Sequence, residues 1–238
     1  VIAVGFDFDH TLGVDNGLER KAVLAVAGDC GLELDAEAVR QSIETLLQAF
    51  RDGLAPLEES LPRFLSAHGA RGVGAEIARR WRDHALALVD ELVEPVAGAR
   101  ELLAALAERD IPVAVLTNGW SPLQERKLAA IGYRGPILVS AALGVAKPAR
   151  AAFDLLVREL DAAHEECWYI GDTPTTDIVG ARDAGLHGVW FDWEGRIWPV
   201  GVPAPETRIQ RLVEFLTLIP GSGAAAENSQ EIEWRRSD

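Results

Sequence analysis

The chain reads as an α/β protein built on a parallel sheet and interrupted early by a long helical insertion. Three observations predict this. Residues 1–8 form a nearly continuous apolar run, as expected of a central strand buried on both faces. From about 16 to 93 no strand-like run occurs, and helical periodicity fills the stretch. Beyond it, helical and strand-like segments alternate as far as about 192, the rhythm of a parallel sheet with helices on both faces.

Within the insertion, helical patterns run over 17–29, 36–51, 57–68 and 75–92, with breaks at Gly31, at Gly53 with Pro56, and from Gly69 to Gly74. Downstream, a helix over 96–109 leads into a strand over 111–117, and a helix over 122–131 into a strand over 137–140. A helix over 148–160 then leads into a strand over 167–171, and a short helix over 178–184 into a strand over 188–192. The expected division is a core over 1–15 and 94–220, a helical insertion over 16–93 and a flexible tail over 221–238. The linkers fall at 13–15 and 94–98, and the tail is rich in Gly, Ala, Ser and charge.

Composition narrows the function. A chain of 238 residues fits one large domain or two small ones. No apolar run approaches the roughly 18 residues of a membrane span. The first residues lack the basic start and cleavage site of a secretory signal. Cys30 and Cys167 are far apart and form no metal-ligand pattern, so the expectation is a cytoplasmic protein with free thiols. A net charge of −14 argues against nucleic-acid polymers and anionic membranes as partners. The same field repels an anionic substrate, so a site for one must supply its own positive charge. Lysines are scarce: only Lys21, Lys127 and Lys147 occur.

The chemistry is concentrated at predicted strand ends, where parallel sheets bind ligands. The first strand runs into Asp7-Phe8-Asp9-His10-Thr11-Leu12. Two close carboxylates repel, so this hexapeptide reads as a cation site, a catalytic pair or an Asp-rich turn. A calcium loop fails on spacing, because Leu12 and Leu18 stand where such a loop needs Gly and Glu. The second strand ends at Thr117-Asn118-Gly119, Lys147-Pro148 follows the third, and Gly171-Asp172 with Asp177 follows the fourth. Each has an ordinary reading taken alone: a turn, a helix start and a helix cap. Together they bring several carboxylates, a hydroxyl and a lysine to one edge. That set suits a hard cation and a phosphate group.

In order and placement these residues resemble the four motifs of the haloacid dehalogenase superfamily. The resemblance covers about 1–195, and the insertion sits where one large class of that family carries a helical cap. Pro95-Val96-Ala97-Gly98-Ala99 and Gly180-Ala181-Arg182-Asp183-Ala184-Gly185 resemble the same class. His10 departs from the pattern, since a glycine is usual there. The resemblance implies a Rossmann-like core with an α-helical cap domain and a Mg²⁺-dependent phosphatase. It implies Asp7 as nucleophile and Asp9 as acid and base. Thr117, the Asn118 backbone and Lys147 would hold phosphate. Asp7, the Asp9 carbonyl and Asp172 would hold Mg²⁺, with Asp177 as direct or indirect support.

Dehalogenating and phosphonate-cleaving relatives lack an acidic residue at the Asp9 position, whereas phosphomutases keep it. A regulatory module without activity is the reading from a different class. The expected substrate is a small phosphorylated metabolite such as a sugar phosphate, phosphoglycolate or a nucleoside monophosphate, handled by a monomer or homodimer. His10, Arg20, Lys21, Arg51 and Trp120 are the candidate substrate contacts.

Overall fold

Burial of the first strand on both faces sets the architecture. The computed structural model describes residues 2–219 apart from 35, 52–53, 71–73 and 75. Strand β1 (Ala3–Phe6) is followed by β2 (Gly13–Val14) and helices α1 (Leu18–Asp29), α2 (Ala36–Arg51), α3 (Leu57–Ala67), α4 (Glu76–Ala87) and α5 (Val89–Leu92). Then come β3 (Glu94–Pro95), α6 (Ala99–Glu108), β4 (Val113–Thr117), α7 (Leu123–Ala130), β5 (Ile137–Val139) and α8 (Ser140–Leu143). The described chain closes with α9 (Arg150–Glu159), β6 (Cys167–Gly171), α10 (Gly180–Ala184), β7 (His187–Phe191), β8 (Thr207–Ile209) and a 3₁₀ turn at Leu212–Thr217.

Six strands form one sheet in the order β5-β4-β1-β6-β7-β8, and every pairing in it is parallel. Side chains alternate between its faces, as the pleat requires. Val4, Phe6, Val115 and Ile170 join the apolar layer that holds Leu102 and Leu106 of α6 and Leu128 of α7. Ala3, Ala114, Leu116 and Tyr169 join the opposite layer with Phe153 and Leu156 of α9. Phe6 pairs with Val115 on one side and Ile170 on the other. Asp7, Thr117 and Asp172 therefore leave the sheet along the same edge.

The helical insertion leaves and returns at a single point. Gly13 pairs with Pro95 and Val14 with Glu94 in an antiparallel ladder, so the two stretches expected as linkers lie side by side. Val96 N–H donates to Leu12 O at 3.0 Å, and Asn16 Nδ2 donates to Leu92 O at 2.8 Å. These bonds set the inserted helices over the Asp7 edge. α1 packs on α2 and α4, and α3 packs on α4. Trp81 of α4 is fully buried. Its ring lies 5.9 Å from Phe50 and 5.4 Å from Trp120, which follows β4 in the core. Its Nε1 donates to Glu19 O at 3.1 Å.

The structure departs from the sequence pattern in a few places. The single helix expected over 75–92 is two, with the break at Leu88. The helix expected from 96 begins at Ala99, because Gly98 takes a left-handed conformation (φ 83°) just before it. A wide turn over Pro174–Val179 precedes α10. β8 and α8 were not expected. The tail over 221–238 lies outside the described residues. Among the described residues, no helix is long and apolar enough to cross a membrane.

Truncating Trp81 should remove a large buried volume and its contact with Trp120. We expect Trp81→Ala to lower stability by about 3–5 kcal/mol in chemical denaturation. Trp193→Ala, whose side chain is exposed, should change it by less than about 1 kcal/mol. Equal effects would contradict the packing described.

Candidate active site

Each strand end delivers one piece of the site. Asp7 follows β1 and is buried; Lys147 Nζ lies 2.8 Å from its Oδ1. The same ammonium lies 2.7 Å from Asp177 Oδ1. It also donates to the Tyr169 hydroxyl at 2.8 Å, which in turn donates to Leu116 O at 2.7 Å. Tyr169 thus fixes the lysine from beneath the sheet edge. Asp172 and Asp177 come from the turn after β6. Carboxylate oxygens of Asp7, Asp172 and Asp177 lie within 4.8 Å of one another. That approach requires the glycine at 171, since an added Cβ would sit 2.5 Å from the Asp177 side chain. Thr173 N–H donates to Asp177 Oδ2 at 2.9 Å, and Arg196 Nη2 lies 3.0 Å from Asp172 Oδ2.

Burial sets the electrostatics. It pushes Asp7 up to about 7, against the pull of Lys147 and with help from Asp177. Asp172 is raised by burial and then by Asp7; Asp177 is raised by burial despite Lys147. Burial alone would lower Lys147, but Asp177 and Asp7 outweigh it and hold the ammonium charged. Three buried carboxylates, two paired with Lys147 and one with the half-exposed Arg196, still leave an excess of negative charge. An all-oxygen set of this kind fits a hard divalent cation.

Thr117, at the end of β4, is buried and lines the same cleft. The Asn118 side chain ties two loops together: Nδ2 donates to Lys147 O at 3.0 Å, and Oδ1 accepts from Lys147 N–H at 2.9 Å. The Asp9 carboxylate is held from α7. Its Oδ1 lies 3.0 Å from Lys127 Nζ, and its Oδ2 accepts from Gln124 Nε2 at 3.1 Å.

The cleft has a volume of about 590 Å³ and is roofed by the insertion, including Arg20, Glu44 and Arg51. Its arginines are engaged. Arg20 lies 3.6 Å from Glu44, and Arg51 pairs with the buried Glu19. Trp120 is buried and donates from Nε1 to Glu19 Oε1 at 3.3 Å. Lys21 is exposed on α1 and does not line the cleft, because the α1 face that meets the core carries Glu19, Ala22 and Val23 instead. His10 is exposed, lines the cleft and holds a left-handed backbone (φ 60°). That conformation gives the physical reason a glycine suits the position.

Sequence reasoning missed Lys127, Gln124, Asp15, Glu19 and Arg196. The only signal for Lys127 was its scarcity as a residue type, on the helix that follows Thr117-Asn118-Gly119.

The pattern of the haloacid dehalogenase-like hydrolases matches residues 3–185. The chain belongs to this family. It is 36% identical over 97 residues to the phosphoserine phosphatase of Thermus thermophilus, a match spanning 40% of this chain and only 39% of that protein. It is 30% identical over 203 residues to the ribulose-1,5-bisphosphate 5-phosphatase of Halopiger xanaduensis, covering 80% of this chain and 84% of that one. Among solved structures, YfnB of Bacillus subtilis, bound to magnesium, superposes with a TM-score of 0.72 at 23% identity, over 91% of this chain and 97% of that one. The chain therefore shares the family's α/β sheet with its inserted helical region.

Two measurements test the site. Asp7 is raised from its ordinary 3.8 to about 7, so between those values the folded protein binds protons that the unfolded chain does not. The site's contribution to stability therefore falls as pH rises through that window. A bound cation should reverse this, and protons should compete with it below about 7. With magnesium at about 100 times its dissociation constant we expect Tm to rise by roughly 5–10 °C at pH 8 and by less at pH 6; equal shifts would contradict the reading. His10→Gly should be neutral or stabilising by up to about 1 kcal/mol, because it removes the left-handed strain; a clear loss of stability would show that the imidazole holds the loop.

Proposed function

We propose that this protein is a Mg²⁺-dependent phosphatase that hydrolyses a small phosphorylated metabolite through an aspartyl-phosphate on Asp7. One observation carries the reading. Asp7 sits at the cleft floor against Lys147, with Asp172 and Asp177 alongside and a second carboxylate, Asp9, two residues on at the same cleft.

In this scheme an Asp7 oxygen attacks phosphorus and the ester P–O bond breaks. The leaving oxygen takes a proton from the Asp9 carboxyl. Asp9, now a carboxylate, takes a proton from water as that water attacks the phosphoryl group. Inorganic phosphate leaves and Asp7 is restored. The Thr117 hydroxyl, the Asn118 backbone N–H and Lys147 hold the phosphate oxygens. The Asn118 side chain is already committed to the Lys147 loop, which leaves its backbone for this task. Asp7, the Asp9 carbonyl, Asp172 and Asp177 would hold Mg²⁺, which supplies positive charge where an anionic nucleophile meets an anionic ester. Residues 16–93 act as a cap that excludes water during the first step, and the paired β2 and β3 support a hinge there. The two phosphatase relatives act on different phosphate esters, and the cleft volume suits a small one. A sugar phosphate, phosphoglycolate or a nucleoside monophosphate is the substrate class we propose.

A panel of those esters with Mg²⁺ tests the reading. Asp7→Asn should abolish phosphate release while leaving the circular dichroism spectrum unchanged, and Asp9→Asn should cost roughly 10²–10⁴ in rate. Wild-type rates in Asp7→Asn would rule out the nucleophile.

A further inference from the structure

Lys127 is a buried charge that the reaction above does not use. It lies on α7 at 1% exposure. Its ammonium sits 3.0 Å from Asp9 Oδ1 and 2.6 Å from Asp15 Oδ2. Gln124, one turn earlier on the same helix face, donates to Asp9 Oδ2 at 3.1 Å. Both oxygens of Asp9 are thus held by α7. Asp15 follows β2 directly, and its Oδ1 accepts from Gly17 N–H at 3.1 Å, where α1 begins. A single ammonium therefore joins the carboxylate of Asp9 to the first turn of the helical insertion.

Burying an ammonium is costly unless its partners offset the lost water. Here Asp9 and Asp15 do so, and they keep Lys127 charged despite burial. The arrangement also restricts Asp9. Its side chain is 34% exposed, so water competes for its oxygens, and a short carboxylate held only by water samples several rotamers. Two donors fixed on one helix select a single orientation. Acid and base catalysis are steep in that orientation.

We propose that Lys127 is the positioning residue for Asp9 and that, by holding Asp15 in the same ion pair, it keeps this carboxylate in register with the hinge of the insertion. The role rests on the phosphatase reading above. It predicts a split between substrates. An alkyl phosphate needs a proton on its leaving oxygen, whereas 4-nitrophenyl phosphate does not. Both need a base for the second step.

The experiment compares wild type with Lys127→Met and Lys127→Arg in the full chain with Mg²⁺. The substrates are 4-nitrophenyl phosphate and the alkyl phosphate that wild type cleaves fastest in a panel of sugar phosphates and nucleoside monophosphates. Lys127→Met should lose about 10²-fold or more in kcat on the alkyl ester. On the aryl ester it should give a rapid burst of nitrophenol, close to one per enzyme, followed by slow turnover. Lys127→Arg should restore part of both steady-state rates. Equal loss on both esters with no burst would overturn the proposal, because a merely structural role slows every step alike. Where Lys127→Met does not fold, Gln124→Leu keeps the ion pair and removes the second donor. It should show the same split at smaller size, and equal effects on the two esters with no burst would overturn the role. A wild-type protein that releases phosphate from neither ester would remove the phosphatase reading, and this role with it.

Discussion

Three buried carboxylates, two of them sharing one buried ammonium, form the constraint on which the rest of the structure depends. Asp7, Asp172 and Asp177 converge from two strand ends, and Lys147 reaches in from a loop between them. Such a cluster repels itself in a low dielectric, so the fold must hold it in place. The parallel register brings the strand ends level. Gly171 lets Asp177 approach, and Tyr169 supports the lysine from below. The negative charge left over after Lys147 and Arg196 are paired is what makes the site a place for a cation. It also resolves a tension in the composition. A chain with a net charge of −14 repels anions at long range, yet Lys147 gives the cleft floor local positive charge, and a divalent cation held by the three carboxylates would add to it.

A second buried polar network joins the inserted helices to the core. Glu19, on α1, accepts from Trp120 Nε1 and pairs with Arg51 from α2. Lys127 spans Asp9 and Asp15. The Trp81–Trp120 contact adds apolar area to the same seam. These groups are charged or aromatic and meet close to the cleft, so the insertion's position and the arrangement of the site depend on one another. Arg51 and Trp120 are components of this seam, and Arg51 also lines the cleft.

Most of the sheet was legible because its strands are apolar runs separated by helical periodicity. The strand over 167–171 has the bounds read from the sequence. Asp7, Thr117, Lys147 and Asp172 were legible because a parallel sheet places all its carboxyl ends on one edge, so sequence order alone predicts their convergence. What escaped has a physical cause. β2 and β3 are two residues each and carry no period. Lys127 meets Asp9 across 118 positions of sequence, and nothing in the spacing of either announces it. Arg196 reaches Asp172 from a loop beyond β7, where no regular pattern exists to place it. Lys21, the only lysine of the insertion, is exposed on α1 and lies outside the cleft lining.

In the proposed scheme Asp7 carries the phosphoryl group and water then attacks phosphorus rather than the aspartyl carbon. A single turnover in heavy-oxygen water with Mg²⁺ and a cleavable phosphate ester, quenched in acid at successive times, tests both halves by mass spectrometry. The peptide containing Asp7 should transiently gain the mass of one phosphoryl group, and the heavy oxygen should appear in inorganic phosphate and not in the peptide. Heavy oxygen retained in the Asp7 carboxylate, or phosphate released with no adduct at any time, would contradict it.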